Sequence, residues 1–381
     1  MATQAEIYTA VSEKLPKNFP FYDWVPKPLG IIFLVVLFIP IMTVSGAYTV
    51  NSSEMVGGLG IQSEHIAFIS FTTSIGMAAF SPFFYSLVSV RRQKMMSLVG
   101  FSILAIQSYI CANTDSMFVL ALNSLIMGFV RQTLLMCNLF TLIKYGFGIE
   151  ATRNVTPGNE PKDEAGWDAL DTEKKASQPI IYFFFMLLGQ IGTWITAWFA
   201  YNYHWQMVYY AMLGAILVAI LITLLCMPYN PYQTKRSPLS FSKFGNVVVF
   251  CLMCCSFCYV MVYGKVYDWY DDDSICLATA ICIVSTLLFV YLEKTRRSPY
   301  FMLKAFKSRS IQGGILLFIG LMICNSSSML VNIFVGVGMK TDQIQVAALG
   351  NWVLLGYFIG LVTILILNNK GVHFKWFFAL G

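Results

Sequence analysis

The feature that most constrains this chain is a series of ten long apolar blocks separated by polar or basic segments. A helix rises about 1.5 Å per residue, so about 20 apolar residues span the roughly 30 Å of bilayer hydrocarbon. Backbone groups in lipid need internal partners, which predicts membrane-spanning α-helices and an all-α polytopic membrane protein. The predicted spans are residues 29–50, 65–88, 95–113, 117–143, 179–201, 205–227, 244–264, 274–292, 311–336 and 346–367.

Composition supports this class, because 57% of the 381 residues are hydrophobic and 12% are charged, against about 25% charged residues in soluble domains. An eleventh apolar segment begins at Phe374 and stops at Gly381, too short to cross, so we expect that the chain is truncated there. Residues 1–28 contain four prolines and lack the apolar core of a cleavable signal, so the first span is expected to be an uncleaved anchor.

The basic residues give the orientation. All of the 25 Lys and Arg residues except Arg131, Lys265 and Lys340 fall on the N-terminal side of the predicted membrane. Cytoplasmic loops are rich in Lys and Arg, which predicts a cytoplasmic N-terminus. The formal charge of +6 is then mostly a topological signal, and nucleic acid is not an expected partner.

The chain divides into four predicted parts. After the cytoplasmic segment 1–28, residues 29–228 form a six-helix bundle, 229–310 a linker with an inserted two-helix hairpin, and 311–381 an incomplete second bundle. Within the first bundle, residues 146–178 form a long cytoplasmic loop with little periodicity, expected to be flexible or loosely helical. This loop is either a solvated insertion or a regulatory or partner-binding element.

Several motifs together resemble a known family. Residues Phe289–Ser310 read FVYLEKTRRSPYFMLKAFKSRS, Trp269–Ser274 carry an outer-loop Trp, and Gly189–Trp194 read GQIGTW, with Tyr203–Trp205 following. Near the end, Asn368–Gly381 resembles a second copy of a cytoplasmic loop motif. With these motifs the chain resembles the major facilitator superfamily, in particular its 14-span branch of drug:proton antiporters. The resemblance implies major-facilitator-type helical bundles that export drugs against proton entry.

The first cytoplasmic loop departs from the family pattern. The family usually has Asp-Arg-x-Gly-Arg there, whereas this chain aligns Ser89, Arg91 and Arg92 with that motif and continues to Lys94. The gating Asp is therefore missing. The resemblance still assigns these four residues a gating or structural role.

Two positions inside spans depart as well. The family's first-span Asp falls on Gly46, although Asn51 keeps its place. The fourth-span family Arg aligns near Ser124, seven residues before Arg131. Seven residues are almost two helical turns, so Arg131 is expected to project from nearly the same face about 10 Å deeper.

Arg131 lies halfway along an apolar block, where an arginine costs at least about 2.5 to 3.5 kcal/mol to insert. This cost favours a role in a transport cavity, and the alternative is a structural cation held by backbone carbonyls or a buried polar partner. Gln132, Asn123 and Asn138 could supply hydrogen bonds along roughly the same stripe. They could equally hold helices together.

A proton-coupled carrier commonly uses a carboxylate inside the membrane, and the predicted spans contain none. Glu54, at the outer end of the first span, and Asp115, in an outer turn, are the nearest candidates. Three explanations stay open: Glu54 is drawn into the cavity mouth, the relay lies beyond Gly381, or coupling is absent.

The fifth span carries the blurred antiporter motif. Gly189 and Gly192 allow close helix approach, but Gln190 replaces the family's proline, so a kink is not assured. Trp194 and its aromatic neighbours either face a cavity or belong to packing and the interfacial belt.

The ninth span has an unusual polar cluster that includes Asn325 and Asn332. It faces the substrate pathway or serves as a helix contact. Four cysteines in the seventh span lack His or carboxylate neighbours, so no metal site is expected. No cofactor and no enzymatic pair of nucleophile and base are expected either.

These observations favour a secondary transporter that exports amphipathic organic compounds with proton coupling. One alternative is uptake or facilitated transport of a polar or anionic metabolite, favoured by Arg131. Another is a non-transporting membrane receptor or assembly factor. The expected partners are a small-molecule substrate, a coupling proton and the lipid bilayer. The resemblance further implies a bacterial inner membrane and a possible periplasmic adaptor.

Overall fold

The computed structural model describes residues 20–50, 55–83 except 56, 59 and 61, then 93–147, 164–229, 241–295, 305–333, 335, 339 and 341–369. These residues form ten long α-helices and contain no strand. The helices are α1 Lys27–Val50, α2 Ser63–Ala79, α3 Gln93–Asn113, α4 Met117–Phe147, α5 Glu164–Asn202, α6 Trp205–Cys226, α7 Phe241–Tyr263, α8 Asp273–Thr295, α9 Arg309–Ile333 and α10 Gln343–Asn369.

The ten helices coincide with the ten predicted spans, which confirms the all-α polytopic fold class. Within the described residues, eight helices are long and apolar enough to cross a membrane. The other two contain shorter apolar stretches, Lys27–Thr43 in α1 and Ile311–Gly320 in α9. The protein is therefore a multi-pass helical membrane protein. The division of the chain into bundles and an inserted hairpin stays a prediction.

Two helix ends differ from the predicted spans. Helix α2 runs to Ala79 and is followed by a 3-10 turn, Ser81–Phe83, inside the predicted span 65–88, whose residues 84–88 lie outside the described residues. Pro82 explains this break in the α-helix, because proline lacks a backbone donor and disfavours helical geometry in the residue before it. Helix α5 begins at Glu164, so the second part of the predicted loop 146–178 is helical.

Five of the first six helices share a buried apolar core. It includes Leu37 of α1, Phe101 of α3, Met127 of α4, Leu188 of α5 and Ile216 of α6. Helix α1 contacts α4, α5 and α6, and α3 packs against both α4 and α6. Helix α1 therefore lies inside this group, with its backbone within reach of side chains on α4.

Helices α2 and α4 cross at two glycines. A Cβ added to Gly76 would lie 2.0 Å from the carbonyl oxygen of Leu125, and one added to Gly128 would lie 2.0 Å from that of Thr73. Small residues at such a crossing let two backbones approach closely, as is common in membrane helices. The contact brings the residue after Gly76 next to the helical turn that follows Gly128.

The later helices contact the first six at two places. Helices α7 and α8 pack against each other as an antiparallel pair, and α7 also packs against α2. Near the outer end of that contact, the Nδ1 atom of His65 and the hydroxyl of Tyr263 form a hydrogen bond. Helix α10 packs along α5. The α5–α10 contact joins helices from the two predicted bundles.

Candidate functional site

Arg131 of α4 is buried, with 7% of its surface exposed. Its Nε donates a hydrogen bond of 2.8 Å to the carbonyl oxygen of Ile41 in α1. Its Nη1 lies 3.4 Å from the Sδ of Met77 in α2. Both partners are uncharged, so Arg131 joins three helices through a carbonyl and a thioether.

The crossing of α2 and α4 at Gly76 and Gly128 explains why Met77 lies beside Arg131. Met77 follows Gly76, and Arg131 lies three residues beyond Gly128, so the α2–α4 contact places the thioether beside the guanidinium. The third helix, α1, packs directly against α4 and also against α5 at Gly192. A Cβ at Gly192 would lie 3.3 Å from the backbone nitrogen of Thr43, next to the turn that carries the Ile41 carbonyl.

The neighbouring amides do not bind Arg131. The Nδ2 of Asn123 donates to the carbonyl oxygen of Gln107 and to the Sγ of Cys111, both in α3 and both at 2.9 Å. The Nδ2 of Asn138 donates to the carbonyl oxygen of Leu134 in its own helix, at 2.9 Å. The contacts of Asn123 join α4 to α3, as the helix-joining alternative expected, whereas this contact of Asn138 stays within α4.

The side-chain oxygen of Asn138 does not bind the guanidinium either. The Oδ1 of Asn138 accepts from the Nε2 of Gln93, at the start of α3, at 3.5 Å. Gln132 is half-buried. The stripe expected around Arg131 therefore divides, because Arg131 points to α1 and α2 while Asn123 and Asn138 serve contacts with α3 and within α4.

A second polar cluster joins α5 to α10. The Nε2 of Gln190 donates to the carbonyl oxygen of Ala347 at 2.7 Å and to the Oδ1 of Asn351 at 3.2 Å. The Nε1 of Trp194 donates to the same Oδ1 at 3.0 Å. We call these five residues, Gln190 and Trp194 of α5 with Ala347, Gly350 and Asn351 of α10, the α5–α10 clasp.

Gly350 provides the space for the clasp. A Cβ at this position would lie 2.2 Å from the Oε1 and 2.5 Å from the Nε2 of Gln190. The side-chain amide of Gln190 enters the space above Gly350. By contrast, Gly189 has open space at its Cβ position. Of the two predicted contact glycines in α5, Gly192 therefore touches another helix backbone and Gly189 does not.

Lys94, at the start of α3, joins this helix to the C-terminal end of α6. Its Nζ donates at 2.8 Å to the carbonyl oxygen of Leu224 in the last turn of α6. A cation is favoured at a helix C-terminus, where carbonyls lack partners within the helix. The backbone N–H of Tyr22 donates to the neighbouring carbonyl of Cys226 at 3.0 Å. Lys94 thus has a structural contact between α3 and α6.

Several predicted residues cannot be assigned contacts. Asn51, Glu54, Ser89, Arg91 and Arg92 lie outside the described residues. Asn325 and Asn332 lie in α9, in a stretch where the structure describes the backbone and not the side chains.

Sequence analysis missed two polar sites. Asn351 is an amide inside an apolar block, a signal of the same kind as that used for Asn325. Glu293, at the inner end of α8, is 6% exposed, and the Nδ2 of Asn246 in α7 lies 3.4 Å from its Oε1. Its position near a span end suggested solvation, whereas the α7–α8 pair covers it. Within the described residues, no group of three His, Cys, Asp or Glu could hold a metal ion.

Comparisons with known proteins add one likeness. No family model and no curated protein matches the chain. Among solved structures, it is similar to the crystal structure of a point mutant of the nucleoside transporter NupG, with 13% identity over 88% of this chain and 99% of that one. The TM-score is 0.38. At that score the two helix arrangements differ too much for the likeness to define a substrate or a mechanism here.

Proposed function

We propose that this protein is a secondary transporter of the major facilitator type, in which two helical bundles alternate access to a site near the membrane midplane. The observation that carries the proposal is the α5–α10 clasp. It joins a helix of the first predicted bundle to a helix of the second through amide and indole hydrogen bonds. A contact that must open and re-form during a transport cycle needs partners of this reversible kind.

The strength of the clasp fits a reversible contact. Hydrogen bonds between membrane helices contribute about 0.6 kcal/mol on average, and about 1 to 2 kcal/mol in model peptides. Its three hydrogen bonds then amount to about 2 to 6 kcal/mol. Two conformations of a working protein typically differ by a few kcal/mol. The clasp can therefore favour one conformation without preventing the other.

For the substrate, we propose amphipathic organic compounds exported against proton entry. Aromatic residues of α5 and α10 support this class, since the rings of Tyr182 and Tyr357 pack edge to face at 6.2 Å and those of Phe183 and Phe358 lie 5.7 Å apart. Such surfaces bind flat apolar molecules. The coupling proton, the bacterial inner membrane and a periplasmic adaptor belong to the same proposal and rest on the motif resemblance.

The test is a reversible cross-link across the clasp. Gln190→Cys combined with Gly350→Cys introduces two thiols where the side-chain amide of Gln190 now reaches Gly350. The gene is expressed in cells without their own efflux pumps, and ethidium accumulation is measured with and without a protonophore. We expect oxidation to stop energy-dependent exclusion in the double variant and dithiothreitol to restore it.

The parent chain, which has ten native cysteines, and the two single variants are the controls and should be insensitive to oxidation. Full exclusion by the cross-linked chain would contradict a clasp that opens in each cycle. If the parent chain is well expressed and cells accumulate the same amount of ethidium with it as without it, export of amphipathic cations is contradicted.

A second candidate function is transport of an anionic metabolite. Arg131 supports it, because the partners of its Nε and Nη1 are uncharged and leave its positive charge uncompensated by them. An anion that reaches α4 would meet this charge in a medium of low dielectric constant, where attraction is strong. Proteoliposome uptake of radiolabelled anions should then be lost in Arg131→Met and partly kept in Arg131→Lys. Equal uptake by the parent and Arg131→Met would contradict this candidate.

A further inference from the structure

A cavity of about 600 Å³ lies between α1, α5 and α6, and neither Arg131 nor any clasp residue lines it. Its wall is formed by Thr43 of α1, Ile195 of α5, and Met207, Ala211 and Ala215 of α6, among others. Its volume falls within the range of about 300 to 1,000 Å³ that is usual for small-molecule sites. Its lining contains no charged residue.

The residues that line the cavity lie within about one leaflet of the outer end of α6. Helix α6 begins at Trp205 on the outer side, and Ala215 lies ten residues further along it. At 1.5 Å per residue this distance is about 15 Å, half of the roughly 30 Å of bilayer hydrocarbon. Along α1, Thr43 lies seven residues from Val50, the outer end of that helix. The cavity therefore extends from the outer interface to the midplane.

Aromatic side chains surround the outer mouth. Trp198 and Tyr203 are 49% and 53% exposed, and both line the cavity. Tyr210 also lines it, and its hydroxyl donates to the Oδ1 of Asn113 at 2.9 Å. Trp and Tyr favour the membrane interface, where the ring contacts hydrocarbon and the polar atom contacts headgroups. The mouth is thus amphipathic and the interior is apolar.

We propose that this cavity binds one acyl chain of a phospholipid from the outer leaflet, with the ester region of that lipid at Trp198 and Tyr203. The length of the cavity fits the tail of one leaflet, and its uncharged lining excludes a headgroup or an ionic substrate. The aromatic mouth matches the polar end of the same molecule. The bound chain fills space beside Thr43, where α1 rests on Gly192. This inference does not depend on the proposed transport activity.

The test is photolabelling in nanodiscs with phosphatidylcholine that carries a diazirine midway along one acyl chain. The labelled protein is extracted and washed extensively in detergent before photolysis, so that loosely held lipid is removed. Peptide mapping should then find adducts on Met207, Ala211 and Ala215. Val218 and Leu221 lie outside the cavity on exposed positions of α6. They should carry no adducts, because the wash removes the lipid that contacts them.

Filling the cavity gives the second arm. Ala211→Phe combined with Ala215→Phe should lower the retained adduct yield about tenfold, because several methylene groups of the lipid lose their burial. Val218→Phe adds the same ring at an exposed position and should leave the yield unchanged. If the double variant does not fold, as judged by size exclusion and thermal melting, Ala215→Leu replaces it with a smaller volume change.

Three results would overturn the proposal. One is equal retention of label at the cavity and at Val218, and another is an unchanged yield in the filled variants. The third is cross-linking between two copies of the chain at this face in place of chain–lipid adducts, which would show that a second copy covers it.

Discussion

The sharpest prediction concerns Gly350→Ala in the α5–α10 clasp. The three atoms nearest to the added Cβ all belong to the amide of Gln190, at 2.2 to 2.6 Å. Contacts this short are not tolerated, and the flexible amide is the group that can leave. It would then lose its hydrogen bonds to Ala347 and Asn351.

The magnitude follows from two opposing terms. Two lost hydrogen bonds between membrane helices cost about 1 to 3 kcal/mol. Alanine in place of glycine within a helix favours folding by about 0.5 to 1 kcal/mol. Gly356→Ala isolates the second term, because Gly356 lies on the same helix with open space at its Cβ position. Relative to Gly356→Ala, we expect Gly350→Ala to lower the free energy of unfolding by about 1 to 3 kcal/mol.

The assay is reversible unfolding of the purified chain in mixed micelles at increasing fractions of sodium dodecyl sulfate. Both glycine variants are measured in the parent and in a Gln190→Ala background, which forms a double-mutant cycle. Without the Gln190 amide the added Cβ of Gly350→Ala meets none of these three atoms, so the difference between the two glycine variants should disappear.

Equal stability of Gly350→Ala and Gly356→Ala in the parent background would refute the steric argument. A penalty for Gly350→Ala that persists in the Gln190→Ala background would show that another group opposes the added methyl. Either result would contradict the assignment of the clasp as a hydrogen-bonded contact between α5 and α10.

The remaining predictions concern a helix crossing and a helix start. Gly128→Ala should lower the unfolding free energy by about 1 to 3 kcal/mol in the same titration, because its Cβ would lie 2.0 Å from the backbone oxygen of Thr73, whereas Gly214→Ala, with open space, should not. Asp272 accepts hydrogen bonds from the N–H and hydroxyl of Ser274, which lower the pKa of Asp272 below its usual 3.8. Its stabilising effect is therefore present above that pKa and lost as pH falls through the lower folded value, so Asp272→Ala should lower the melting temperature at neutral pH and not at strongly acidic pH. A melting difference that stays constant with pH would contradict this assignment.

The helices were predictable because their length and apolar content follow directly from the thickness of the membrane. Two of their ends were not. The change from α-helix to a 3-10 turn after Ala79 depends on Pro82, a local signal that is easily overlooked inside an apolar block. The early start of α5 at Glu164 lies in a polar stretch, where hydropathy gives no signal and helix propensity alone is weak.

The candidate site was only partly predictable, because its contacts depend on how helices cross. The sequence indicated Arg131 and Gln190 as unusual polar residues in apolar blocks. It did not indicate that Arg131 would reach the Ile41 carbonyl, which requires that α1 pack against α4. Nor did it separate Asn123 from Arg131, since a helical stripe about 80° wide can serve two different neighbours.

The inner end of α6 has a consequence for biosynthesis. Its last carbonyls accept hydrogen bonds from Lys94 and from the backbone of Tyr22, segments that leave the ribosome long before α6 does. These donors must wait for about 130 and 200 further residues, respectively, before their acceptors exist. Packing of α6 thus completes the contacts of Tyr22 and Lys94, which are synthesised much earlier. A nascent chain stopped before Cys226 should leave both donors without these acceptors, so an unfinished bundle exposes polar groups that the finished one pairs.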